Sequence, residues 1–163
     1  MGILFSADEV LAVAQIIEIN GVHFYEHAAT LAPAGEPRDL LNELARWEQT
    51  HERTFADMRR LLSQGEKDSG VFDPNDETAL YLQALADTKV FDPKADVAAR
   101  LGAKPDFRDI LTLAIGMEKE SIVFYVGMKD MVPASLGQSR VDAILKEEMS
   151  HLTMLHRQLQ RLR

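Results

Sequence analysis

The sequence predicts an all-α protein: a four-helix bundle made of two helical hairpins joined by a long, partly helical crossover. Three observations predict it. Four long segments carry apolar residues at alternating steps of three and four, the spacing that keeps one helix face on a core. Two short breaks containing proline, at 32–36 and 132–134, join these segments in pairs. The second pair repeats the first at an offset of 100 residues.

The first helix is expected over 6–31, opened by Ser6 with Glu9 three residues on, the pattern of a capping box. The second is expected over 37–63, with Pro37 suited to its first turn. The third starts near Asp106 and ends before Pro133, and the fourth covers 135–162. Hairpin 1 is thus about 6–63 and hairpin 2 about 106–163. Between them lies a crossover over 64–105, in which Val71-Phe72-Asp73-Pro74 recurs as Val90-Phe91-Asp92-Pro93. Each Asp-Pro can cap and start a short helix, and 75–86 is the expected one. A crossover this long lets the third helix start at the far end of the bundle. All 163 residues read as one domain, a length sufficient for a well-buried core.

Composition narrows the chemistry. Hydrophobic residues make up 46% and charged residues 27%, as in ordinary globular proteins. The formal net charge of -8 repels nucleic acid and anionic membranes, so neither is expected as a partner. With no cysteine, disulfides, thiolate zinc sites, iron–sulfur clusters and cysteine nucleophiles are excluded. No run has the length and apolarity of a membrane span, and no basic-then-apolar leader opens the sequence. Met1-Gly2 with Ser6 matches a myristoylation pattern, one short enough to recur by chance. A cytoplasmic protein is the expectation.

The two halves share more than apolar positions. Leu11, Ala14 and Glu18 match Leu111, Ala114 and Glu118; Phe24-Tyr25 matches Phe124-Tyr125; Glu48 and His51 match Glu148 and His151. This reads as a duplicated helical hairpin. The core stripes are Leu11, Ala14, Glu18, Gly21, Tyr25, Ala28; Leu41, Leu44, Glu48, His51, Phe55, Met58, Leu62; Leu111, Ala114, Glu118, Ser121, Tyr125, Met128; and Val141, Ile144, Glu148, His151, Leu155, then Leu162. Four carboxylates and two imidazoles therefore fall among apolar residues. Buried carboxylates set close together repel one another, and no Lys or Arg shares these stripes. Two divalent cations would balance the charge, with the imidazoles completing the ligand set.

Depth agrees. Glu18 lies ~20 Å from the end of its helix and Glu48 ~17 Å from the start of the next, at 1.5 Å per residue. Antiparallel packing brings them to one level, and Glu118 and Glu148 repeat the arithmetic. A Glu from each of two helices plus Glu-x-x-His from each of the other two is the ligand pattern of di-iron and di-manganese carboxylate bundles. The candidate metal ligands are Glu18, Glu48, His51, Glu118, Glu148 and His151. Tyr25 and Tyr125, seven residues past a ligand Glu, are placed to hydrogen-bond a ligand carboxylate across the bundle. His23, His27 and His156 lie off the stripes and are expected on the surface. Glu147 competes with Glu148 as ligand, and the repeat selects Glu148. Trp47 is expected to pack within its hairpin. The methionines of the last three helices are expected to fill the core.

At Glu18 with Phe24-Tyr25, Glu48-Gln49-Thr50-His51, the run 114–121 with Phe124-Tyr125, and Glu148-Met149-Ser150-His151, the sequence resembles the rubrerythrin family of ferritin-like di-iron proteins. The resemblance spans all four helices. It implies a ferritin-like bundle in which Glu18 and Glu118 are terminal ligands, Glu48 and Glu148 bridge the metals, and His51 and His151 bind one metal each. It implies two iron ions as cofactor, with manganese or a mixed manganese–iron pair as alternatives that Glu and His ligands do not separate. Two departures stand out. The family's cysteine-ligated rubredoxin domain is not in this sequence, and the extra family Glu three residues after the third-helix ligand is Ser121 here. Glu120, about 200° round the helix from Glu118, is expected to point elsewhere.

The activity implied is an oxidoreductase reducing peroxide or dioxygen, with electrons from a separate donor protein. Alternatives are iron oxidation for storage or delivery, and a non-catalytic, metal-stabilised helical protein. A homo-oligomer, in the first place a dimer, is expected.

Overall fold

The computed structural model describes residues 6–62, 64, 98–102, 104–129, 132, 134–136 and 138–162. The myristoylation pattern, the repeated Val-Phe-Asp-Pro and the helix expected at 75–86 lie outside them. The elements in chain order are α1 (Ala7–Leu31), α2 (Glu36–Leu61), a 3-10 turn (Ala98–Leu101), α3 (Phe107–Met128), a second 3-10 turn (Ala134–Leu136) and α4 (Gln138–Arg161). α1 packs along α2, and α3 along α4, giving the two expected hairpins of a four-helix bundle. Among the described residues there is no strand, and no helix is long and apolar enough to cross a membrane.

Local chemistry sets the helix ends. Ser6 and Glu9 form the expected capping box on α1. Asp106 and Asp109 form a second one on α3, which satisfies helix N–H groups in the same way. α2 starts after Gly35, whose φ of 93° is the left-handed region that glycine enters without steric cost. α3 ends short of the proline at 133, which disfavours helical backbone in the residue before it. The second 3-10 turn occupies the first positions expected of the fourth helix, where Gly137 costs helix propensity.

Every stripe residue named above is buried except Leu162, which is 41% exposed because α4 stops one residue earlier. The apolar residues form two clusters. One holds Leu11, Ala14, Phe55, Met58, Met128, Val141 and Ile144, and the other Phe24, Ala28, Leu41, Leu44, Ile110, Leu111 and Leu155. Met149 is half exposed and does not fill the core. Across the surface, Arg59 reaches from α2 to Asp8 through two hydrogen bonds of 3.0 Å, and to Gln15 at 2.8 Å.

Candidate metal centre

In the stripes the six polar residues Glu18, Glu48, His51, Glu118, Glu148 and His151 fall between the residues of one apolar cluster and those of the other, and each is at most 5% exposed. Their ligand atoms form two overlapping sets. Glu18, Glu48, His51 and Glu148 make one; Glu48, Glu118, Glu148 and His151 make the other. Within each set the donor atoms lie within 4.8 Å of one another. Glu48 and Glu148 belong to both.

Both imidazoles present Nδ1 to this centre. His51 Nδ1 lies 2.9 Å from Glu148 Oε1 and 3.5 Å from Glu18 Oε2. His151 Nδ1 lies 3.3 Å from Glu148 Oε2, 3.5 Å from Glu48 Oε1 and 3.8 Å from Glu118 Oε1. Although these atoms are close, their directions do not make hydrogen bonds. Glu18 Oε2, Glu48 Oε1, both Glu148 oxygens and both Nδ1 atoms are buried without a hydrogen-bond partner. Buried polar atoms are rarely left so. The groups aim at shared points rather than at each other, which is what oxygen and nitrogen donors do around a cation. The residues fit a metal pair.

The electrostatics carry the same signature. Burial lifts the Glu18 carboxyl well above the usual range, and the charges of Glu48 and Glu148 lift it further. Burial, then Glu148, pushes Glu118 up to about 8. Burial and Glu48 also oppose ionisation of Glu148, but contacts with Glu118, His151 and His51 outweigh them and hold its carboxyl below the usual range. Burial would lower both imidazoles. Contacts with Glu148 and Glu18 instead push His51 up to about 12, and contacts with Glu118, Glu148 and Glu48 push His151 up to about 11.

The tyrosines cross between hairpins. Tyr25 of α1 donates to Glu118 Oε1 on α3, and Tyr125 of α3 donates to Glu18 Oε1 on α1. Burial, followed by the charge of the partner carboxylate, raises both phenols well above their usual range, so they remain donors. Gly21 makes room for Glu48: a Cβ there would stand 2.7 Å from Glu48 Oε2. At the matching position of α3, Ser121 is buried and its hydroxyl donates to the Met117 carbonyl of its own helix. Glu120 lies outside both ligand sets.

Two residues make contacts that the sequence did not foretell. Glu147 is not among the ligands; its Oε2 lies 2.7 Å from His51 Nε2. Trp47 reaches the opposite hairpin, where its ring stacks on His151 at 4.7 Å between centroids and 2° between planes. The repeat held the signal, because 47 and 147 are equivalent positions filled by unlike residues. His23 and His156 are exposed and His27 half-buried, all outside the ligand sets.

Known proteins resemble this chain in family and in fold. The rubrerythrin family model matches residues 9–159, and the chain belongs to that family. A crystal structure of a protein from Thermotoga maritima, named as a ferritin-like diiron-carboxylate protein, superposes with a TM-score of 0.70. The two share 24% sequence identity over 98% of each chain, a likeness that shows the fold. No curated protein matches the chain.

Proposed function

We propose that the Glu–His layer binds two iron ions and that the protein is an oxidoreductase reducing peroxide or dioxygen. The observation that carries this reading is the pair of overlapping ligand sets sharing Glu48 and Glu148, in which Glu18, Glu48, His51, Glu148 and His151 each keep a buried donor atom without a hydrogen-bond partner. In this reading Glu18 and His51 would hold one ion and Glu118 and His151 the other, with Glu48 and Glu148, common to both sets, serving both. The iron pair would supply the two electrons that peroxide reduction consumes, and a separate donor protein would return them.

The remaining work falls to the chain. Tyr125 and Tyr25 hold the carboxylates of Glu18 and Glu118 in place by hydrogen bonds from the opposite hairpin. The two apolar clusters keep the dielectric low around the charged layer. A homodimer in the cytoplasm is part of the proposal, as expected from the sequence.

The test is an anaerobic Fe(II) titration of metal-free protein, followed by peroxide or air. Saturation at two irons per chain, lost in His51→Ala and His151→Ala, and oxidation by peroxide much faster than by air support a peroxidase. Equal slowness with both oxidants overturns the peroxidase activity. Uptake continuing far beyond two irons after oxidation points to storage. Absence of binding overturns the metal centre itself.

A further inference from the structure

The duplicated hairpins agree at every candidate ligand, yet they differ at the residue before each Glu-x-x-His. At 147 a glutamate places Oε2 2.7 Å from His51 Nε2. At 47 a tryptophan lies flat on the His151 ring. Among the described residues, the carboxylates near His151 all face its Nδ1, and none pairs with its Nε2.

We infer that the two metal positions are inequivalent: the position served by His51 and Glu18 binds the tighter ion, and that served by His151 and Glu118 the weaker, more exchangeable one. The inference rests on the two-metal reading above and adds an order of filling to it. With Nδ1 turned to the centre, each imidazole carries its proton on Nε2. A carboxylate accepting that proton fixes the tautomer and ring direction and makes the opposite nitrogen a stronger donor to a metal. Such outer partners are typically worth about ten- to a hundred-fold in metal affinity. Glu147 gives this to His51. Stacking by Trp47 holds the plane of His151 but accepts no proton, so it leaves the electron density of Nδ1 unassisted.

Access points the same way. A surface pit lined by Trp47, Thr50, Glu147, Ser150 and His151 reaches the His151 ring, and His51 is not among its walls. The imidazole of the less firmly held position is therefore also the one that meets a surface pit. Glu147 itself is about half exposed, so it acts on His51 from the rim and not as a ligand. It is a positioning residue.

Glu147→Gln tests this with Co(II) as the probe. Gln retains an acceptor at the rim but removes the charge, and the side chain's exposure leaves the fold intact, which a thermal melt checks. Repulsion between two cations separates the binding steps in any paired site, so the variant, not the wild-type gap, is decisive. Calorimetry is expected to show the first Co(II) step weakened about ten-fold or more and the second nearly unchanged. The cobalt-shifted Nε2–H resonances provide a second reading. In wild type one is expected to exchange slowly, shielded by Glu147, and one quickly; in the variant the slow one is expected to exchange faster, because a neutral amide accepts more weakly than a carboxylate. Equal weakening of both steps, or no change in either, overturns the inference while leaving the paired site standing. Failure of wild type to bind Co(II) overturns the two-metal reading and this inference with it.

Discussion

The backbone of Gly21 on α1 is the floor under the Glu48 carboxylate of α2. A Cβ at position 21 would lie 2.7 Å from Glu48 Oε2, 3.1 Å from Cδ and 3.2 Å from Cγ. Gly21→Ala should therefore push the Glu48 side chain out of the position it shares with both ligand sets. Because the obstructing atoms end a flexible side chain, the helix itself survives. Alanine also gains about 0.5–1 kcal/mol of helix propensity over glycine. The expected outcome is a metal-free melting temperature equal to or above wild type, with Co(II) affinity reduced about ten-fold or more, the scale of a misplaced ligand support. Gly116→Ala is the control, since nothing lies within 4 Å of its Cβ position. It should stabilise the protein by about 0.5–1 kcal/mol and leave metal binding unchanged. Equal metal affinity in both variants would remove the role given to Gly21.

Tyr125→Phe strips Glu18 Oε1 of the hydroxyl that it accepts from, and Glu18 Oε2 already lacks a hydrogen-bond partner. A buried acceptor left alone costs about 1–3 kcal/mol. Urea unfolding of the metal-free variant should show a midpoint lowered accordingly, with an unchanged slope. Tyr25→Phe should do the same through Glu118. The double variant is expected to depart from additivity, because both carboxylates also contact the shared Glu148 cluster. A loss below about 0.5 kcal/mol in both single variants would show that neither hydroxyl steadies its carboxylate.

Most of the centre was legible before any coordinates, for a physical reason. Helical periodicity places Glu18, Glu48, His51, Glu118, Glu148 and His151 among core residues, and the charge problem of burying them is visible in their chemistry alone. The repeat then excludes Glu147 as ligand. What the residue order does not contain is the rotation of one hairpin against the other. The His51–Glu147 and Trp47–His151 pairings both cross between hairpins, as do the tyrosine bonds. For the tyrosines the seven-residue offset carried enough of the geometry. For Trp47, partly buried, and Glu147, exposed, both beside the stripe, it did not. Leu162 failed for a simpler cause: periodicity continues on paper past the point where α4 ends.

The two capping boxes provide a stability test independent of the centre. Ser6 accepts from the Glu9 N–H, and Asp106 from the Asp109 N–H at 2.8 Å. Ser6→Ala and Asp106→Ala should each lower stability by about 0.5–2 kcal/mol, since each orphans a helix N–H. Stepwise Co(II) affinities should stay at wild-type values, because Glu18 and Glu118 sit far along their helices from either cap. Denaturant unfolding with a parallel metal titration separates these effects.

The shifted ionisations fix how pH acts, and the sign can be worked through group by group. Glu118 rises from 4.5 to about 8 in the fold. The folded state holds its proton more firmly, so the stability from it is complete below pH 4.5 and is lost as pH climbs toward 8. His51 and His151, raised from 6.5 to about 12 and about 11, contribute fully below pH 6.5 and lose that contribution as pH rises through those values. Glu148 runs oppositely: its carboxyl is held below the usual 4.5, so its contribution is present above that pH and is lost in acid. In the presence of a chelator, the urea midpoint should therefore be higher at pH 5.5 than at pH 9, and should fall again in strong acid. Metal binding opposes the alkaline loss, because ligands must shed their protons to bind. Adding Co(II) should release protons from the two imidazolium rings and from Glu118, detectable as heats that scale with the ionisation enthalpy of the buffer. Affinity should strengthen as pH rises from 6 to 8. Binding without proton release would mean that Co(II) sits on surface carboxylates, already ionised, and not in the buried Glu–His layer.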